Sequence, residues 1–161
     1  MQPLSSEAVQ SALDRHNLNI QLTQYDADTS TSELAAEAIG CTVAQIAKSM
    51  CFIINKDYPV LVVASGVNTV DDKKLSKILD VGRKKVRFAK PDQCIEIFGF
   101  APGGVPPIGH RTEGIQIFLD EDLRSFERVW AAGGTANINF GITPDQLAQV
   151  TNGTWIDIKK D

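Results

Sequence analysis

Apolar and polar residues along this chain follow two different periods, and the changes between them predict its helices and strands. The segments MCFIIN (50–55) and YPVLVVAS (58–65) are apolar runs rich in β-branched residues, and the polar turn NKD lies where they meet. This pattern predicts an antiparallel pair of strands that is buried on both faces and begins the core.

Helical spacing and capping signals predict the helices. Ser5 or Ser6 can begin a helix that runs to about His16, and Ser30 with Glu33 has the spacing of a capping box before a helix that ends at Gly40. Strands adjoin strands and helices occur irregularly between them, which favours an α+β fold. Further helices are predicted at 43–48, 71–80, 91–100 and after Thr143, and further strands at 19–26, 86–89, 114–120, 126–132, 137–142 and 154–158.

Length and composition predict one domain, residues 1–161, with its own core, since 43% of the residues are hydrophobic and 22% are charged. No apolar stretch approaches the roughly 18 residues of a membrane span, and MQPLSSEAVQ lacks a signal-peptide pattern. We therefore expect a cytoplasmic protein with no membrane partner. Cys41, Cys51 and Cys94 lie among apolar residues and are interpreted as reduced, buried small hydrophobes.

Positive charge is concentrated in one segment, although the net charge is -4. Eight of the sixteen lysines and arginines lie between residues 73 and 90, and we call these eight the basic run. The segment crosses a predicted helix, a turn at Gly82 and a predicted strand, so its charges should converge on one edge of the domain. Such an edge suits a phosphate backbone, and a solvated helix face is the alternative. The predicted contacts are Lys73, Lys74, Lys77, Arg83, Lys84, Lys85 and Arg87, and Lys90 completes the run.

Familiar catalytic motifs are absent. The chain has no GxSxG, P-loop or HExxH sequence, and its two histidines, His16 and His110, are few for a histidine-based metal site. The sequence therefore predicts neither a metal nor a cofactor. His110 stands beside Arg111 at the exit of a loop, and we interpret it as a solvent-facing polar residue rather than a general base.

The loop GGVPPIG (103–109) combines conformational freedom with stiffness. Its glycine pair permits backbone conformations that other residues avoid, while Pro106 and Pro107 hold the chain extended and remove two N–H donors. If the remaining amides of Val105, Ile108 and Gly109 point one way, they can hold an oxyanion without reorganising. A structural turn between a helix and a strand is the alternative.

Two further segments are considered together with this loop as parts of a candidate site. Lys48 lies in QIAKSMCFII, at the rim of the predicted sheet, where a charge is costly to bury unless it is paired or used. A surface lysine at a helix C-terminus is the alternative. In AAGGTANIN (131–139), two glycines allow close backbone approach, and Asn137 and Asn139 alternate onto one face of the next strand.

In their order and spacing, QIAKS, GGVPPIG and AAGG resemble the YbaK and prolyl-tRNA-synthetase-associated domain family. The segments TSELAAEAIG and VVASGVNTVDDKKLSKIL extend the resemblance to about residues 29–158. The resemblance implies an α+β fold with a mixed, barrel-like sheet surrounded by helices, and hydrolysis of the ester of a mischarged aminoacyl-tRNA. The family lysine falls on Lys48 and the GxxPxG loop on Gly104 to Gly109. Ala132 and Asn139 stand where some relatives carry a serine and an aspartate, so the substrate amino acid does not transfer.

An amino-acid ester is already activated, so an enzyme need only place a water and stabilise the developing negative charge. We expect Lys48, Gly104 and Gly109 to be catalytic, with Lys48 contacting the CCA end of the tRNA. The basic run should bind the acceptor stem, and an aminoacyl-tRNA synthetase is a further expected partner. A non-catalytic module that binds tRNA or an acyl carrier, and a hydrolase of free esters, are the alternatives. The expected substrate-binding residues are Ser49, Val105, Ile108, Ala132, Gly133, Gly134, Asn137 and Asn139.

Overall fold

The computed structural model describes residues 1–161 and contains five helices, eight strands and three short 3-10 turns. The helices are α1 (Ser6–Asp14), α2 (Ser32–Ile39), α3 (Asp72–Leu79), α4 (Pro91–Gln93, continued by a π-helical turn over Cys94–Phe98) and α5 (Pro144–Thr151). The strands are β1 (Thr23–Gln24), β2 (Ala47–Ile54), β3 (Tyr58–Ser65), β4 (Val86–Phe88), β5 (Gln116–Asp120), β6 (Val129–Ala132), β7 (Ile138–Ile142) and β8 (Thr154–Ile156).

The strands form two sheets, one of five strands in the order β4-β2-β3-β5-β8 and one of three in the order β1-β7-β6. In the larger sheet β2 pairs antiparallel with β3 and β4, whereas β3–β5 and β5–β8 are parallel. The predicted α+β class with a mixed sheet is therefore confirmed. The sheets do not close into a barrel.

The larger sheet is covered on both faces because its two long strands carry continuous buried apolar runs, residues 51–54 of β2 and residues 60–64 of β3. Leu61 and Val63 of β3 pack towards α1, α5 and the smaller sheet. The alternate residues Val60 and Val62 pack towards α3 through Leu75. The prediction that β2 and β3 form an antiparallel pair is confirmed, and residues 60–65 of β3 are buried without interruption.

The edge of β2 that faces away from β3 is covered at its two ends but not in the middle. At the start, Ile46 makes an isolated bridge to Trp130 of β6, and at the end β4 pairs with β2 from Phe52 to Ile54. Between these two pairings no strand lies beside residues 48–51. This break, which we call the β2 gap, positions the site described below.

Several predicted boundaries are wrong. Residues 43–48 form only the 3-10 turn Val43–Gln45, after which the chain enters β2 at Ala47 because that residue pairs with Ser65 of β3. The N-cap of α2 is Thr31, whose side chain accepts from the Leu34 amide, rather than Ser30. The strand predicted at 19–26 is reduced to two residues, and that predicted at 126–132 begins at Val129.

Candidate active site

A cavity of about 480 Å³ opens at the β2 gap. Its wall is built by the residues leading into α2, the first half of β2, the end of β4, the loop after α4, and the ends of β6 and β7. Segments far apart in the sequence are therefore brought together here. Five of the predicted site residues line the cavity, namely Lys48, Ser49, Val105, Ala132 and Asn139.

Lys48 lies on β2 and not at a helix C-terminus, so the surface-lysine alternative is wrong. The side chain is half-buried, and none of the four ion pairs in the structure includes it. Burial lowers the pKa of Lys48 below its ordinary value, while the carboxylates of Glu33 and Asp120 oppose that shift. An unpaired ammonium group at the wall of a cavity attracts a negatively charged ligand group.

Ser49 presents polar groups that lack partners within the protein. Its Oγ atom is buried and makes no hydrogen bond. The Cys51 carbonyl accepts from the Ala89 amide at 2.9 Å on the β4 side of β2, and amide directions repeat every second residue along a strand. The N–H and C=O of Ser49 therefore point into the β2 gap, where they and the hydroxyl are available to a ligand.

Only the first part of the loop 103–109 faces this cavity. Gly103, with φ 91°, and Val105 line it. The Gly104 amide donates to the Ala101 carbonyl at 3.2 Å, and the Gly104 carbonyl accepts from the Gly134 amide at 3.0 Å. The main chain of Gly104 is thus used within the protein, where it fixes the loop against the segment that follows β6.

Val105, Ile108 and Gly109, whose amides were expected to point one way, do not border the same cavity. Ile108 and Gly109 line a second cavity, of about 780 Å³, on the α1 side of the loop. A Cβ atom on Gly109 would lie 3.1 Å from the Ala8 carbonyl oxygen, which shows how closely the loop packs on α1. Pro106 and Pro107 hold this part of the loop extended, so the residues before and after them lie far enough apart to border different cavities.

The segment AAGGTANIN contributes its two ends to the cavity and its centre to packing. Ala132 and Asn139 lie opposite each other in the β6–β7 register, and both line the cavity. Gly133 and Gly134 do not: the Gly133 amide donates to the Ile138 carbonyl, and Gly134 holds the loop at Gly104. Asn137 precedes β7, and its side chain accepts from the Thr135 hydroxyl, so the expectation that it shares the face of Asn139 is wrong.

Hydroxyl side chains form a wall that the sequence prediction missed. Thr29, Ser30, Thr31 and Ser32 all line the cavity. The Thr29 hydroxyl accepts from Asn139 Nδ2 at 2.6 Å and donates to the Ala136 carbonyl, which orients the buried Asn139 amide. These four consecutive hydroxyl residues, which lead into the first turn of α2, were a usable signal, but only Ser30 was interpreted, as a helix cap.

The opposite wall carries two thiols and an aromatic ring. Cys51 and Cys94 are buried, as predicted, and both line the cavity together with Phe88. A hydrogen bond to Cys94 and burial hold the pKa of the Cys51 thiol well above its usual range, so it stays protonated at neutral pH. The hydrogen bond with Cys51 lowers the pKa of Cys94, so only Cys51 is assigned as a soft, uncharged part of the wall. Cys41 is half-buried and lies elsewhere.

His110 is not solvent-facing, which corrects the interpretation from sequence. It is half-buried beside the second cavity, its Nε2–H donates to the Pro106 carbonyl at 2.7 Å, and its ring meets Phe98 edge-on. Burial lowers the pKa of His110 below its ordinary value, against the effect of the bond to Pro106. His110 therefore supports the loop from behind as a neutral side chain.

The basic run lies on α3, the turn Arg83–Lys85 and β4, which is an edge strand of the larger sheet. Lys74 is paired with Asp157 and Asp161, and Arg83 with Asp72, so these two cations are partly neutralised within the chain. The remaining cations of the run are exposed and have no ion-pair partner: Lys73, Lys77, Lys84, Lys85, Arg87 and Lys90.

Comparison with known proteins relates this cavity to a family. A model of the aminoacyl-tRNA editing domain matches residues 26–150, a range that contains every residue of the cavity wall. The chain belongs to the aminoacyl-tRNA editing domain family. Its larger sheet, with the β2 gap and the unpaired lysine, is accordingly the framework of an editing domain.

Relatives of this editing domain cover most of its length. It is 31% identical over 159 residues to the uncharacterized protein YwhH of Bacillus subtilis, with 98% of this chain and 99% of YwhH covered. It is 27% identical over 134 residues to EbsC of Enterococcus faecalis, a proposed Cys-tRNA(Pro)/Cys-tRNA(Cys) deacylase, with 83% and 80% covered. The crystal structure of a proposed trans-editing enzyme for prolyl-tRNA synthetase superposes with a TM-score of 0.89 at 37% identity, with 98% and 99% covered.

No helix of this editing domain is both long and apolar enough to cross a membrane.

Proposed function

We propose that this chain hydrolyses the ester bond of a mischarged aminoacyl-tRNA, and that it does so in the cavity at the β2 gap. The observation that carries the proposal is the unpaired, half-buried ammonium group of Lys48 beside the unpartnered hydroxyl of Ser49, at the wall of a cavity in an editing domain. Buried polar groups are otherwise satisfied in folded proteins, so a pair left free in a cavity favours a polar ligand.

In the proposed reaction the aminoacyl ester enters with its carbonyl oxygen towards the polar wall. Lys48 contacts the terminal phosphate or the carbonyl of the CCA end, and the main chain at Ser49 and Val105 offers N–H groups to the oxyanion. A water oxygen forms a bond to the acyl carbon, and the bond from that carbon to the ribose oxygen breaks. The proton from water goes to the ribose oxygen, so the products are the free amino acid and a tRNA with its hydroxyl restored.

No covalent enzyme intermediate is needed, because the ester is activated and the leaving group is a ribose hydroxyl. The neighbouring ribose hydroxyl of the tRNA can position the attacking water. The protein then contributes orientation and electrostatic stabilisation, and removing one such donor typically costs about 100- to 1000-fold in rate. Asn139, held by Thr29, and Ala132 stand at the end of the cavity where they can contact the amino acid.

The proposal is tested by measuring release of amino acid from a panel of mischarged tRNAs, together with binding of the same tRNAs. Proline tRNA charged with the wrong amino acids comes first in the panel, because the structural neighbour is named for prolyl-tRNA synthetase. Release well above the spontaneous rate from at least one member supports the proposal. Binding throughout without release would favour the non-catalytic module, and equal turnover of simple amino-acid esters would favour a hydrolase of free esters.

A further inference from the structure

Phe88 is an unusual feature of the cavity wall. Its side chain is 60% exposed, although it belongs to a strand of the larger sheet. The ring stacks on Phe52, with centroids 4.6 Å apart and an interplanar angle of 25°. Phe52 is 2% exposed, so one face of the Phe88 ring is fixed against the core and the other is left to solvent. The ring is thus held in place before any ligand arrives.

Phe88 also stands between the cavity and the basic run. It lines the same cavity as Lys48, and it is flanked in the chain by Arg87 and by Ala89 and Lys90. Arg87 and Lys90 are exposed and have no ion-pair partner. A ligand that enters the cavity past the edge strand β4 therefore meets a flat apolar ring on a segment whose neighbouring residues include exposed cations.

This combination matches the chemistry of a single-stranded nucleic acid. Aromatic rings accept any base by stacking, while cations alongside neutralise the phosphates that connect the bases. We propose that the free face of Phe88 stacks with the terminal base of the acyl-bearing strand, and so sets the depth to which the ester enters the cavity. This inference rests on the proposed function, since it takes the substrate to be an RNA that carries the ester at its end.

The kinetic test compares Phe88→Leu and Phe88→Trp with the unmodified protein, using two mischarged acceptor-stem minihelices. One has the natural terminal adenine, and the other has an abasic terminal nucleotide that keeps the ribose and the ester. Loss of stacking should raise KM on the order of 10- to 100-fold for Phe88→Leu, and Phe88→Trp should stay close to the unmodified protein. The abasic substrate should impose a similar loss on the unmodified protein and little further loss on Phe88→Leu, because both changes remove the same contact.

Tyr58→Leu is the matched control, since Tyr58 is an exposed aromatic of the same sheet that does not line the cavity. Its KM should be unchanged. Equal KM for Phe88→Leu and the unmodified protein would overturn the inference, and so would losses that multiply when Phe88→Leu meets the abasic substrate.

A second measurement separates this inference from the proposed reaction. The probe is a minihelix that carries no amino acid and has 2-aminopurine in place of the terminal adenine. Its fluorescence should fall on binding the unmodified protein or Phe88→Trp, and not on binding Phe88→Leu. Quenching that depends on residue 88 in a protein that releases no amino acid would sustain the stacking contact and reject the reaction. Release of amino acid with quenching indifferent to residue 88 would reject the stacking contact alone.

Discussion

The fold favours the charged form of Lys48 less than water does, so under the proposed function its position serves ligand binding rather than stability. It has no ion-pair partner, and burial lowers its pKa. A group of this kind opposes folding slightly wherever it is charged, and functional residues often carry such a cost.

Replacing Lys48 with Met should therefore separate activity from stability. We expect deacylation to fall about 100- to 1000-fold, because an electrostatic contact to the substrate is lost. The free energy of unfolding should stay the same or rise by no more than about 1 kcal/mol, because a buried charge is removed. Single-turnover deacylation and thermal unfolding measure the two effects, with Lys56→Met as an exposed-lysine control. Full activity of Lys48→Met would remove the lysine from the reaction.

His110 should make stability depend on pH below neutrality. Its folded-state pKa lies below the ordinary value of about 6.5, so the unfolded chain takes up a proton at a higher pH than the folded chain does. Stability is therefore lost as the pH falls from about 6.5 towards the lowered pKa. We expect the Tm of the unmodified protein to fall further between pH 7 and 5.5 than that of His110→Gln, which keeps a donor for Pro106. Parallel Tm profiles would show that His110 does not titrate in this way.

At the scale of elements, the candidate site exists because the edge of β2 is covered twice and left open between. Sequence patterns indicated β2 and β3, because a run of β-branched residues is a local property. They did not indicate that Trp130 of β6 would pair with Ile46 just before β2, or that β4 would pair with β2 only from Phe52 to Ile54. Both pairings join residues that are far apart in the chain. For the same reason Lys48 was predicted as the last residue of a helix, when pairing with Ala64 of β3 places it in a strand.

The loop that faces the cavity shows the same limit. Its stiffness followed from two glycines and two prolines, but its orientation depends on what packs behind it. Val105 borders the cavity at the β2 gap, whereas Ile108 and Gly109 border the second cavity beside α1, and no pattern within these seven residues contains that information. The glycines of AAGG, expected to contact substrate, instead allow the segment after β6 to approach Gly104.

Gly104→Ala tests that approach. A Cβ atom there would lie 2.9 Å from main-chain atoms of Thr135, and main chain cannot move aside as a side-chain end can. We expect a loss of about 1–3 kcal/mol in the free energy of unfolding, and reduced deacylation as the bond from Gly134 is strained. Gly82→Ala is the matched control, since nothing lies within 4 Å of its Cβ position and its φ of -66° suits alanine. Equal stability of the two variants would mean that the contact between the loops is loose.

At the scale of the whole molecule, the sequence was most informative about the order of its motifs and about where its positive charges are concentrated. The order and spacing of QIAKS, GGVPPIG and AAGG identified the family, and the segment between residues 73 and 90 identified the basic run. Which of those cations remain free could not be predicted, because Lys74 is paired by Asp157 and Asp161 near the other end of the chain. The structure therefore narrows the expected RNA contacts to the unpaired members of the run.

The triple variant Lys84→Gln, Lys85→Gln, Arg87→Gln tests whether those cations bind the acceptor stem. All three are exposed, so the fold should be unaffected and the Tm nearly unchanged. Each phosphate contact contributes about 0.7–0.9 to the slope of log K against log salt, so loss of three should flatten the slope by about 2–3 and weaken binding most at low salt. Arg15→Gln, Arg124→Gln, Arg128→Gln makes the same charge change at exposed positions outside the run, and its slope should stay close to that of the unmodified protein. If both triple variants bind tRNA alike, the attraction comes from the total charge of the molecule and not from the edge at β4, and the path of the substrate past Phe88 would then lack its electrostatic support.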